Sequence, residues 1–137
     1  MIEFNLPFEA KPQGSKNAFR RGNRIVLVEA SKDLKPHRQS VSMEIRRQAL
    51  AQGWAQAQKD EPIFVLLEFG LTRPKTVRRR FHIVKPDLDK LIRFTLDAIT
   101  QAGNIWIDDS QAVFIVASKQ YAAQPFIKVV VDNERPC

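Results

Sequence analysis

Apolar and polar residues alternate from Met1 to Phe8, placing Ile2, Phe4, Leu6 and Phe8 on one side, which predicts a half-buried strand. Arg24-Ile25-Val26-Leu27-Val28-Glu29 is a short β-branched run and predicts a second strand. The period then changes. Beyond a turn region at 31–36, where Pro36 suits the opening of a helix, Val41, Ile45, Ala49 and Gln52 recur at helical spacing with Met43, Leu50 and Trp54 alongside. This predicts a helix to about Gln58, weakened by Gly53 in its last turns. Pro62 introduces a third strand, 63–71. A second long helix is predicted over 87–101, between Pro86 and the stop Gly103-Asn104, with Leu88, Ile92, Leu96 and Ile99 facing the sheet. Strands over 113–121 and 125–131, joined tightly at 122–124, complete the chain. The order predicts an α+β fold: a mixed sheet covered by two helices, in one small domain spanning residues 1–137.

Composition narrows the classes. A chain of 137 residues that is 44% hydrophobic and 27% charged has the make-up of one globular domain. The longest apolar run, Ile63 to Leu67, is far short of the ~20 residues of a membrane helix, and Met1 to Asn5 is unlike a secretory signal. The single cysteine, Cys137, forms no intrachain disulfide and fits a reducing cytosol. Charge is more informative. Twenty-two Lys and Arg against fifteen Asp and Glu leave +7, the balance of a protein that meets a polyanion such as nucleic acid. The excess is regional. Residues 71–85 hold six cations (Arg73, Lys75, Arg78, Arg79, Arg80, Lys85) and no acid. A second basic stretch runs through Lys11, Lys16, Arg20, Arg21 and Arg24. Both carry turn residues and read as loops.

Carboxylates gather just after the first of these stretches. Asp87 and Asp89 diverge by roughly 200° if both lie inside a helix, but converge if Asp87 is the N-cap and Asp89 lies in the first turn. Asp108 and Asp109 follow the helix. They approach the first pair only if Ile105-Trp106-Ile107 doubles back along its roughly 22 Å length, which seven extended residues can just span. Two readings of these acids stand side by side. One is structural, since aspartate favours helix N-termini and polar turns. In the other, a carboxylate cluster beside a cationic loop repels DNA unless a cation neutralises it. Mg²⁺, with its preference for carboxylates, water and substrate phosphate, is suited to do so. His37 and His82 are too isolated for a histidine-based site and read as surface or structural, and no Gly-rich phosphate loop occurs.

Lys85-Pro86-Asp87-Leu88-Asp89-Lys90-Leu91, then Leu96-Asp97-Ala98-Ile99, then Asp108-Asp109-Ser110-Gln111, resembles the RusA family of Holliday-junction resolvases, small enzymes of bacteria, prophages and phages. Pro12-Gln13-Gly14-Ser15-Lys16, Glu29-Ala30-Ser31-Lys32 and Lys35-Pro36 are similar to its looser pattern. The resemblance implies a cytoplasmic, homodimeric endonuclease that depends on Mg²⁺, with Mn²⁺ as a substitute. It would cut four-way DNA junctions by paired symmetric nicks. Asp87, Asp89 and Asp109 would be its catalytic, metal-holding carboxylates. Arg93 stands where the family often has a catalytic lysine, and Lys90 where asparagine is common. Arginine holds phosphate or transition-state charge but is no acid or base near neutrality, so the two residues share an unresolved role. Asp97 is expected to pair with Arg93 at i,i+4 and Asp108 to support the turn. Lys16, Arg73, Lys75, Arg78, Arg79, Arg80 and Lys85 would contact DNA backbone without reading sequence. A non-catalytic nucleic-acid-binding protein and a nuclease for other branched DNA are the competing functions.

Overall fold

The computed structural model describes the backbone of residues 1–14, 16–29 and 33–134, and the side chains of all of these except 16–21 and 26–29. Cys137 and most of the Glu29–Lys32 motif lie outside the described residues. The elements are β1 (Ile2–Leu6), β2 (Lys16–Arg21), β3 (Arg24–Glu29), α1 (Leu34–Gln52), β4 (Ile63–Thr72), α2 (Leu88–Ala102), a 3₁₀ turn (Asp109–Gln111), β5 (Ala112–Ala122) and β6 (Phe126–Asp132). A four-stranded mixed sheet has the order β1-β6-β4-β5, with β4 and β5 parallel and the other pairs antiparallel. The α+β architecture is therefore as expected.

Period-2 patterning builds the core. Ile2, Phe4 and Leu6 of β1, the odd-numbered positions from Ile63 to Leu71 of β4, and Ile127, Val129 and Val131 of β6 are all buried. On α1 the buried stripe is Leu34, Val41, Ser42, Ile45 and Ala49. Met43 and Leu50, expected alongside it, point to solvent. On α2 the buried positions are Leu91, Phe94, Thr95, Ala98, Ile99 and Ala102. Of the face expected there only Ile99 is fully buried, with Leu88, Ile92 and Leu96 on its flank. The helix turns Phe94 inward, where it stacks on His37 at 5.7 Å, and this rotates the apolar stripe.

Two further expectations are corrected, and the path of one connection that the pattern left open is fixed. First, the basic stretch at 16–24 is no simple loop. Residues 16–21 pair with β3 in a separate two-stranded sheet, so the second predicted strand does not join the main sheet. Gly22-Asn23 turns this hairpin. Gly22 alone takes positive φ, as the first position of a two-residue turn with its twist reversed demands. Secondly, α1 stops at Gln52 rather than Gln58, because Gly53 adopts the left-handed conformation and its N–H returns to Leu50. Thirdly, the tight connection after β5 does not make β5 and β6 neighbours; it passes over β4, which lies between them.

The two sheet edges differ. At β1, Gln52 and Gln48 of α1 each bond both ways to the outer backbone. Gln52 meets the N–H and C=O of Glu3 at 3.4 and 2.8 Å, and Gln48 those of Asn5 at 3.2 and 3.0 Å. β5 has no strand neighbour on its outer side among the described residues.

The return from α2 to β5 is fixed by side-chain hydrogen bonds, most of them to backbone. Trp106 Nε1 donates to Thr100 Oγ1 at 2.8 Å, and Trp54 Nε1 to the Ile105 carbonyl at 3.0 Å. Buried Gln111 makes four bonds. Its Oε1 accepts from the N–H groups of Ile107 and Asp108 at 2.8 and 3.0 Å, and its Nε2 donates to the Gln58 and Glu61 carbonyls at 2.6 and 3.1 Å. Replacing Gln111 by Ala strands these groups and is predicted to cost about 2 kcal/mol. Thermal denaturation should show a fall in Tm of roughly 8 °C; an unchanged Tm would show that the turn holds without this amide.

Candidate active site

α2 begins where Pro86 ends the basic loop, and Asp87 is its N-cap, with φ −70° and ψ 141°. The expected boundary is thus present, with Asp89 in the first turn. Asp87 makes no side-chain capping bond. Its carboxylate faces Lys90 instead, at 3.7 Å across a half-exposed pair. At the other end of the return path Asp108 caps the 3₁₀ turn, accepting from the Ser110 N–H at 3.2 Å while Gln111 answers its own N–H. Bonds from the Ser110 hydroxyl and N–H lower the Asp108 carboxyl from its ordinary value. Structural work therefore falls to Asp108, and Asp87, Asp89 and Asp109 are left free of it.

Asp109 differs from its neighbour. Burial first, then the charges of Asp108 and Asp97, push its carboxyl up. Ile105 to Ile107 does double back along α2, and it brings Asp109 to the level of Asp97. Asp89 lies eight residues before Asp97, about 12 Å along the helix axis. Among the described residues no group of three or more Asp, Glu, His or Cys side chains is close enough to hold a metal ion. The carboxylates thus do not converge on one point, although Asp109 is near enough to Asp97 to feel its charge.

Between them on the same helical face sits Arg93, one turn from each of Asp89 and Asp97. The expected Arg93–Asp97 pair is not formed. Gln13 Nε2 donates to Asp97 Oδ2, and Gln13 Oε1 accepts from Arg38 at 2.6 Å, with Arg38 also reaching Gln101 at 3.3 Å. The Gln13 N–H bonds the Lys90 carbonyl at 3.2 Å, laying residues 9–14 along α2. The Arg93 guanidinium packs on Gly14, where φ is +103° and a Cβ would come within 2.5 Å of it. The Pro12-Gln13-Gly14 motif thus serves as a bed for α2. Beside it a groove of about 420 Å³ runs between the 9–12 segment and the start of α2, lined by Glu9, Lys11, Pro12, Lys85, Asp87 and Lys90.

The expected DNA-binding side chains Arg73, Lys75, Arg78, Arg79, Arg80 and Lys85 are exposed. The side chain of Lys16 lies outside those described. Sequence reasoning passed over Gln13, Arg38, Lys119 and Tyr121. Lys119 donates to the carbonyls of Val84 and Pro86 at 2.7 and 2.9 Å and so pins the segment before Asp87. Only its position on the inward face of β5 could have marked it. Neither histidine belongs to a metal cluster: His37 packs between Phe8 and Phe94, and His82 lies on Tyr121.

The model of the family Endodeoxyribonuclease RusA matches residues 7–132. The chain belongs to the RusA family. No individual curated protein matches it. The match runs from the segment laid along α2 to the end of β6, so it takes in both aspartate pairs and the loop between β4 and α2. This RusA protein is thus an endodeoxyribonuclease by family. No helix among the described residues is long and apolar enough to cross a membrane.

The donor set fits a divalent cation in kind. It is all oxygen, and Asp109 sits among negative neighbours with no cation paired to it. A raised carboxyl pKa means that the fold disfavours the ionised form, so at neutral pH the Asp109 charge weighs against the folded state. Asp109→Asn is therefore predicted to raise Tm in EDTA by one to a few degrees. Mg²⁺ should raise the Tm of the parent protein but not of the variant. A variant less stable than the parent in EDTA would refute this reading of the charge.

Proposed function

We propose that this RusA protein is a Mg²⁺-dependent, structure-specific endonuclease that resolves four-way DNA junctions by paired, symmetric nicks. The observation that carries this reading is the division of labour among the aspartates: Asp108 does the capping, while Asp87 and Asp109 have no backbone role beside a loop of unpaired cations. Asp87, Asp89 and Asp109 would hold divalent ions, one or two carboxylates to each ion, with water and substrate phosphate completing the shell. The bound ion supplies an activated water and stabilises charge on the transferring phosphate.

The chain's own groups do the rest. Arg93, held on Gly14 and paired with no carboxylate among the described residues, is free to bind a phosphoryl oxygen and the charge that develops on it. Lys90, 3.7 Å from Asp87, orients that carboxylate. Gln13 holds Asp97 away from Arg93. The products would be 5′-phosphate and 3′-hydroxyl ends, by analogy with the family. Asp89→Asn is predicted to retain junction binding while Mg²⁺-dependent cleavage of a synthetic four-way junction falls by at least ~10³-fold. Cleavage at the parent rate would remove Asp89 from the site. Equal cutting of flaps and junctions would support the broader branched-DNA reading instead.

Two symmetric cuts call for two sites related by a two-fold axis, and a homodimer is the economical arrangement. The bare edge of β5 supports it. Val113, Phe114, Ile115 and Val116 are 61, 39, 37 and 49% exposed, four successive apolar residues on an edge that no side chain blunts. Phe64, Leu66 and Val130 continue the patch over the uncovered sheet face, where no Lys or Arg lines the groove. For a chain of charge +7, this apolar edge, beside which the charges lining the groove are the paired Met1 ammonium and Asp132, is where a second copy meets little repulsion. Ile115→Lys is predicted to turn a dimer into a monomer in light scattering with little change in far-ultraviolet circular dichroism. A variant that remains dimeric would place the interface elsewhere.

A further inference from the structure

Two of the loop arginines differ from the rest in how they are held. The Arg73 guanidinium lies 4.3 Å from the Tyr121 ring centroid and that of Arg79 lies 5.8 Å from the same ring. Arg73 also donates to the Arg79 carbonyl at 2.5 Å, closing the loop between them. His82 packs on Tyr121 with centroids 4.8 Å apart, and Lys119, two residues earlier on the same face of β5, pins Val84 and Pro86. Among the described residues no ion pair involves Arg73, Arg79 or Lys119. Arg80 instead stacks on Phe81 at 5.2 Å, and Arg78 has no such partner.

Gathering like charges on one ring without a counter-charge is unfavourable, and the repulsion shows at His82. Burial and then the charges of Lys119 and Arg79 lower its proton affinity. A cation–π contact of ~0.5–1 kcal/mol offsets part of this cost for each guanidinium. What relieves the remainder is an anion shared by the two forks, and guanidinium geometry matches phosphate oxygens in pairs.

We propose that Arg73 and Arg79, assembled on Tyr121, form a single binding site for one phosphate of the DNA backbone, which Lys119 ties to the segment ending at Asp87. The identity of the anion rests on the nuclease reading above. Tyr121 is a positioning residue: it never touches the phosphate but sets both groups that do. Its hydroxyl is buried and without a partner, so the ring and not the oxygen carries the function. A phosphate held here fixes the strand relative to Pro86, one residue from the first aspartate.

The test is equilibrium binding of a labelled synthetic four-way junction in EDTA at several salt concentrations, read by fluorescence anisotropy. Arg73→Ala and Arg79→Ala should each weaken binding about tenfold and lower the salt slope by about one. The double variant should be little weaker than either single variant, because the site acts as a unit. Arg78→Ala combined with Arg79→Ala should instead multiply the two losses. Tyr121→Leu should weaken binding as Arg79→Ala does, and Tyr121→Phe should restore it. Independent losses at Arg73 and Arg79, or parent-like binding by Tyr121→Leu, overturn the shared site. Parent protein that binds the junction but does not cut it when Mg²⁺ is supplied overturns the nuclease reading and leaves this site standing.

Discussion

The structure depends on one buried amide. Gln111 ties the 107–108 backbone to the 58–61 segment through four hydrogen bonds, and it does so at the point where α2 hands over to β5. A chain leaving a helix at Gly103 could run in many directions. Burial of Ile105 and Trp106 supplies the driving force for doubling back, but burial alone is non-directional. The glutamine adds direction. It converts a collapsed return into one geometry, sets the 3₁₀ turn, and starts β5 in parallel register with β4. Asp109 inherits its position from that turn. Its neighbour Asp108 is consumed by capping, and the site receives one carboxylate from a pair.

The same logic of fixing by few bonds applies to the other side of α2. Gln13 joins the N-terminal segment to α2 through its N–H and its amide nitrogen, at Lys90 and Asp97, and to α1 through its amide oxygen, at Arg38. Together with Gly14 it decides where Arg93 goes. A guanidinium at i+4 from Asp89 and i−4 from Asp97 would ordinarily be drawn into an ion pair on either side. In this fold Asp97 has a neutral partner and Arg93 lies against backbone, so the charge of neither is spent on the other.

Much of this was legible in the sequence, and what was not has physical causes. The alternation of β1, β4 and β6 and the helical spacing of α2 mark elements whose faces are buried on one side only. The boundary at Pro86-Asp87 follows from proline and capping chemistry alone. Residues 16–21 were hidden because their composition is that of a solvated loop. That strand is specified by Gly22-Asn23 and by pairing with the apolar run of β3, with no alternating apolar pattern of its own to announce it. The buried stripe of α2 was misplaced by part of a turn because Phe94 finds His37 and Phe8 across the core, a contact no local pattern reveals. The aspartate pairs could be named from spacing. How far the chain returns along α2 could not, since it is set by Trp106 bonding to the Thr100 hydroxyl and by Gln56 and Gln111 bonding to distant backbone. Lys119 and Tyr121 were passed over for the same reason: their partners lie on another strand's loop.

Net charge is a poor guide to how such a protein works; the pairing of its charges is a better one. Twenty-two cations and fifteen anions could neutralise one another extensively, yet among the described residues there are four ion pairs, and one of these uses the N-terminus. Within the site only Lys90 and Asp87 meet. Elsewhere the chain satisfies its charges with neutral groups: Lys119 with carbonyls, Asp97 with an amide, Arg73 and Arg79 with a ring. Neutral partners fix a charged side chain without cancelling its field. Unpaired acids beside unpaired bases are costly in an isolated protein, and salt bridges between them would be the simpler solution. Held apart along α2 and the basic loop, each set is left open to a counter-charge from outside the chain, which is the condition the proposed nuclease function needs.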